Sequence, residues 1–310
     1  MGSQEVSIRL YTATLLLLLA FAPSAALARL QIAATSADLA SLARSVGGEW
    51  VEAASLAPPA RDAETFEPGP KELKRLAQAQ LLVRVGLGYD PWLDRALAQS
   101  ANADIQRGAA GYVDASTGIA LLEITATVLG PATGHAHGAG NPHYWLDPLN
   151  AEIITASILE GLTRVDPGHA AQYARNRSRF LGDLRRRLAA WEQRLAPYRG
   201  AAVITYHGTW PYFARRFRLN IVGFIEPRPG VPPSPSHLAA LLRTAHEQRV
   251  AMILRGPSEP VDAPEMLAAR TGARIVLLAP AVGSLPQAPD YLSLFEYDVD
   301  MLRQALGGGS

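Results

Sequence analysis

Three of the chain's seven histidines fall within nine residues, His135 and His137 in the glycine-rich stretch GHAHG and His143 in GNPHYWLDP. Imidazole serves as a base, a proton carrier or a metal ligand, so these positions can be ligands, a catalytic base or an ordinary polar turn. The turn reading has local support, since Pro142 precedes His143, two aromatics follow, and Asp147-Pro148 leads into a helical run. Two more polar residues stand near the ends of apolar runs: Glu64 in DAETFEP and His207 directly after AAVITY. Neutral imidazole with carboxylate suits zinc or manganese, with zinc bonds of about 2.0–2.2 Å. A lone histidine after a strand is more often a satisfied turn residue than a ligand, so each of these signals is weak by itself.

Residues this far apart meet only if the fold gathers strand ends. LQIAAT reads as a short buried strand, and SADLASLARSVGG as a helix capped by Ser36 and stopped by glycines. A strand near VEAASLA, a helix from Pro70 to Gln80, the strand LLVRVGL and a helix from near Pro91 follow. The alternation restarts later with AAVITYH, WPYFARRF, NIVGFI, HLAALLRTAHEQ, VAMILRG, APEMLAARTG, RIVLLAP and a last helix from Tyr291 to Leu306. Strands alternating with helices specify α/β architecture with parallel sheets. Ligands of such sheets bind outside the carboxyl ends of the strands. Between the two arrays, residues 166–197 read as one helix about 45 Å long, with no proline from His169 to Ala196. The expected organisation is a lobe over 29–165, this linking helix, a lobe over 198–306 and a disordered tail at 307–310. At 310 residues and 48% apolar content, each lobe is large enough for its own core.

The first 28 residues read as a leader rather than fold. Arg9 precedes LYTATLLLLLAFA, and PSAALA ends in the small-x-small pattern of a cleavage site after Ala28. The apolar core is too short to span a membrane. With no cysteine in the chain, a lipid anchor, disulfides and thiolate metal sites are excluded. The expected product is a soluble exported protein, in the simplest case periplasmic. A net charge of +1 gives no reason to expect nucleic acid or an anionic membrane as partner. The run Arg185-Arg186-Arg187 lies in the long helix and reads as a solvated face.

Together, DAETFEP, NPHYWLDP, TYHGTWPYFARRF, PSPSHLAALL and YLSLFEYDVDMLRQAL resemble, in order and spacing, the periplasmic binding proteins of zinc and manganese ABC importers, the cluster A-I group. The likeness covers nearly everything from Leu30 to Leu306. It implies two α/β lobes bridged by one long helix, a metal in the cleft between them, and a membrane ABC permease as the partner that receives the metal. The expected protein is a monomer that performs no chemistry. Zn2+ is the expected metal, with Mn2+ as the alternative. Carried over by position, His143 and His207 are ligands. The family's usual first histidine is Glu64 here, and its usual late aspartate, in a segment like L-D-P-x-G, falls on Ala279 of LLAPAVG.

That departure leaves three readings open. Glu64 ligates through oxygen, with water or a histidine of GHAHG completing the shell; or the site is weakened and the protein is an accessory binder or metallochaperone; or the metal site is lost. His135 and His137 read either as a short version of the histidine-rich loop of some zinc-specific members or as a plain surface loop. Glu226 is a spare carboxylate near the cleft, while Asp147 and Glu67 read as caps or supports. His169, His237 and His246 read as solvated helix residues. Tyr144, Trp145, Trp210, Tyr212 and Phe213 are expected around the cleft. A hydrolytic zinc site is the enzyme alternative, but H-E-x-x-H, G-x-S-x-G and P-loop patterns are all absent.

Overall fold

The computed structural model describes residues 29–59, 64, 66–122 and 140–307. The leader, His135, His137 and the last three residues lie outside these. Two four-stranded parallel sheets form the frame. In the first, β1 (Leu30–Ala34), β2 (Val51–Ser55), β3 (Leu81–Arg84) and β4 (Tyr112–Asp114) run in the order β2-β1-β3-β4. In the second, β5 (Ala202–Thr205), β6 (Asn220–Phe224), β7 (Met252–Arg255) and β8 (Arg274–Leu277) repeat that order as β6-β5-β7-β8. The strand runs LLVR and AVIT are buried throughout, as parallel strands covered on both faces must be. In both sheets the order reverses beside the first strand, which opens a crevice at the carboxyl ends.

Helices α1 (Ala37–Gly47), α2 (Pro70–Gln78), α3 (Leu93–Ser100) and α4 (Asn150–Val165) belong to the first half. Helices α6 (Pro211–Phe217), α7 (Pro235–Glu247), α8 (Asp262–Thr271) and α9 (Tyr291–Gly307) follow α5 (Ala170–Leu195). Ser36 caps α1, its Oγ accepting from the Leu39 amide at 3.2 Å. Helix α5 has 26 residues, which makes it ~39 Å long. It is shorter than the sequence pattern, because Pro167–His169 and Ala196–Tyr198 form 3-10 turns at its ends. Its buried face, Tyr173, Phe180, Leu181, Leu184, Leu188, Trp191 and Leu195, repeats every three to four residues. This face packs on α1, α4 and α9, while Arg185, Arg186 and Arg187 are exposed, as expected of a solvated face.

The halves do not have separate cores. One apolar cluster runs from β1 and α1 through α5 into Phe213 and Phe295, and a smaller one lies under α7 and α8. The expectation of one core per lobe fails because α5 and α9 bury faces against both halves. Polar bonds reinforce this. The Val282 amide donates to Asp38 Oδ1 at 2.9 Å, and the Tyr291 hydroxyl donates to the Trp145 carbonyl at 2.6 Å. Asp147, 1% exposed, is held across the halves by Arg216 through two bonds of 2.7 and 3.0 Å. Gly307 still belongs to α9. Among the described residues, no helix is long and apolar enough to cross a membrane.

Candidate metal centre

A cleft of about 370 Å³ opens where the carboxyl ends of the two sheets face each other. Several of its polar residues follow strands. His207 lies two residues past β5, Glu226 two past β6, Glu259 four past β7, and Tyr89 follows β3. The fold thus delivers distant sequence segments to one point.

The donor atoms of Glu64, His143 and His207 all lie within 4.8 Å of one another. Glu64 Oε1 is 3.9 Å from His143 Nε2, and the two imidazole centroids are 5.6 Å apart. Close to Glu64 in sequence, Phe66 is buried edge-on against Trp92 at 5.1 Å. His143 enters a 3-10 turn, Tyr144–Leu146, whose aromatics anchor it: the Tyr144 hydroxyl donates to the Val85 carbonyl at 2.8 Å and Trp145 Nε1 donates to the Pro280 carbonyl at 3.2 Å.

The protonation of both rings follows from their partners. Asn141 Oδ1 accepts from the His143 amide at 2.9 Å, so it accepts from His143 Nδ1 as well, at 3.1 Å. That puts the proton on Nδ1 and turns the lone pair of Nε2 toward Glu64. Asn141 Nδ2 in turn donates to the Gly208 carbonyl at 2.8 Å, tying the loop of His143 to the residue after His207. His207 Nδ1 donates to Glu226 Oε2 at 2.5 Å, which likewise leaves Nε2 as the ligating nitrogen. A carboxylate or amide oxygen behind each imidazole is the usual arrangement for histidine ligands.

Electrostatics support cation binding. Burial disfavours charge on His207, but the Glu226 bond and the charges of Glu226, Glu64 and Glu259 outweigh it and raise its pKa above the ordinary imidazole value. Burial pushes Glu259 up to about 7, opposed by its bond to the Gly256 amide and by His207. The pocket is rich in negative potential and imidazole lone pairs, a combination suited to a divalent transition ion.

Several expectations need correction. Of the five aromatics expected at the cleft, Trp145 lines it; Tyr144, Trp210, Tyr212 and Phe213 are buried in the core, and Tyr89 and Tyr206 line the wall instead. Glu67 is exposed, and Glu72 rather than Glu67 bonds the amide at the start of α2. His169 is not simply solvated: it stacks on Trp50 at 4.1 Å and bonds Asp166 at 2.8 Å. His237 bonds the Phe224 carbonyl at 2.8 Å, and His246 is exposed. Two contributors escaped the sequence reading. Asn141 was visible as the first letter of N-P-H, whereas Glu259 in RGPSEP carries no local signal.

The profile of the family described as zinc-uptake complex component A, periplasmic, matches residues 32–305. A putative metal-binding protein of Treponema pallidum (strain Nichols) is 29% identical over 255 residues, covering 80% of this chain and 78% of that protein. The iron-binding protein YfeA of Yersinia pestis is 23% identical over 296 residues, covering 92% and 89%. A crystal structure of ZnuA superposes with a TM-score of 0.76 at 28% identity, covering 89% of this chain and 99% of that one. The chain belongs to the zinc-uptake complex component A family of periplasmic metal-binding proteins.

Proposed function

We propose that this protein captures Zn2+ in the periplasm and delivers it to the membrane ABC permease of an importer, with Glu64, His143 and His207 as ligands. The observation that carries the reading is the convergence of three donors within 4.8 Å in the cleft. Two imidazoles with their Nδ1 protons fixed present borderline nitrogen lone pairs, which favour zinc over the harder manganese ion. A leader over residues 1–28, cleaved after Ala28, accounts for export. Capture needs no nucleophile or general acid; the imidazoles and the carboxylate bind the ion.

The iron named for the Yersinia relative makes the choice of metal the point to test. Untagged protein from periplasmic extract should carry one zinc per chain by mass spectrometry and prefer zinc over manganese in competition titrations. It should turn over no ester, peptide or β-lactam with or without zinc. Preferential retention of manganese or iron would overturn the zinc assignment, and zinc-dependent turnover would overturn the transport reading.

A further inference from the structure

Three donors leave a zinc ion short of its usual four. Besides Glu64, the described wall of the cleft holds two carboxylates, Glu226 and Glu259. Glu226 is committed on both oxygens: Oε2 holds His207 Nδ1 at 2.5 Å, and Oε1 accepts from the Gly230 amide at 2.8 Å. Withdrawing it would release the imidazole it fixes.

Glu259 stands differently. Its Oε2 accepts from the Gly256 amide at 2.6 Å, and among the described residues its Oε1 accepts no hydrogen bond. Its backbone is pinned, since Arg255 Nη2 donates to the Glu259 carbonyl at 2.6 Å. The turn Arg255–Glu259 therefore curls back with the carboxyl group facing the cleft. A Cβ at Gly256 would meet only ordinary contacts, 3.6 Å to Glu259 Cδ and 3.4 Å to Pro280 Cγ, so the turn brings both residues to the same point without demanding glycine. Glu259 and Pro280, the residue after Ala279, both line the cleft. Strands β7 and β8 are paired, Arg255 opposite Leu277, so an acid after β7 reaches the same end of the sheet as a residue after β8.

Ala279 itself has nothing to give. It is fully buried, and its amide donates to Asp298 Oδ1 at 2.8 Å, behind the cleft wall.

We propose that Glu259 is the fourth protein ligand, its side chain rotating so that Oε1 joins Glu64, His143 and His207 on the ion. The proposal rests on the metal-binding reading above. Rotation is required, because Glu259 is outside the set of donors already within 4.8 Å of one another. One of the two carboxylate oxygens is held, by the Gly256 amide, so rotation about the side chain's single bonds gives up a single hydrogen bond. The resulting set of two nitrogens and two carboxylate oxygens satisfies zinc's coordination without water.

The test is a crystal structure of the zinc-loaded wild-type chain, with competition titrations of wild type, Glu259→Gln and Glu259→Ala. The Glu259→Gln variant keeps an oxygen for the Gly256 amide, and circular dichroism reports folding of both variants. The expected structure has a Glu259 oxygen about 2.0–2.2 Å from zinc. Glu259→Ala should lose more than ~100-fold in zinc affinity, beyond the loss usual for a group that only supports a ligand. Zinc held by Glu64, His143 and His207 with a water in the fourth place, and affinity within about twofold in both variants, would overturn the role of Glu259 while leaving the site itself standing. A wild-type chain that takes up no zinc would overturn both.

Discussion

Glu226→Gln probes how the cleft tunes a histidine without touching the ion. In the wild type Glu226 accepts from His207 Nδ1 at 2.5 Å and from the Gly230 amide at 2.8 Å, so its carboxylate serves two donors. Glutamine cannot do both. If its oxygen stays on the Gly230 amide, its NH2 faces His207 Nδ1, and the imidazole must move its proton to Nε2, where the metal lone pair is needed. If the amide flips, the Gly230 amide loses its acceptor. Loss of such a partner costs about 10–100-fold in metal affinity, or ~1.4–2.7 kcal/mol. The pH dependence has its own sign. Burial lowers the His207 pKa, but the Glu226 bond and carboxylate charges raise it by more. Removing Glu226 therefore lowers it, and protons compete less with the metal in the variant. The affinity gap between wild type and variant should be widest at alkaline pH and should shrink as pH falls through the wild-type imidazole pKa. Isothermal titration of zinc into both proteins across pH measures this. No gap, or the same gap at every pH, would refute the coupling of Glu226 to the ligand.

Asp38 is fully buried, and burial pushes its carboxyl up to about 7, opposed by bonds from the Val282 amide, its own amide and Ser36. Its stabilising contribution is complete below its unfolded pKa near 4 and is lost as pH rises to about 7. Urea unfolding of Asp38→Asn should lack the decline that the wild type shows over that window, a difference on the order of 2–4 kcal/mol; parallel pH profiles would contradict it. Arg216→Ala leaves Asp147, 1% exposed, with Arg215 at 3.6 Å as its remaining cation, and should lower stability by about 2–3 kcal/mol in the same assay. Glu64→Ala should lose much of the zinc affinity, whereas Glu64→His should shift preference toward zinc over manganese, because imidazole replaces a hard oxygen donor. Unchanged selectivity and affinity in both would mean that Glu64 does not touch the ion.

The parallel α/β frame was legible because its strands are continuous apolar runs and its helices carry regular buried faces. LLVR and AVIT announce themselves, and Ser36 marks a helix start with its own cap. Strand β4 was missed because Tyr112–Asp114 is too short to show any periodicity. The cleft trio was legible from residue type and context, although only the fold shows that Glu64 and His143 come within 3.9 Å. Long-range partners left no local trace. Nothing around His169 signals the face of Trp50, far earlier in the chain, and nothing in RGPSEP shows that Glu259 turns back onto the Gly256 amide and into the cleft wall. The aromatics of WPYFARRF are expected around the cleft from the sequence. The helical periodicity of α6 instead turns Tyr212 and Phe213 into the shared core.

The central claim is that Glu64, His143 and His207 hold one divalent ion. Equilibrium dialysis against buffered zinc, comparing the wild type with His143→Ala/His207→Ala, tests it most directly. The expected result is one zinc per wild-type chain and none held by the double variant, with matching circular dichroism spectra. A folded double variant that still retains one zinc per chain would contradict the account.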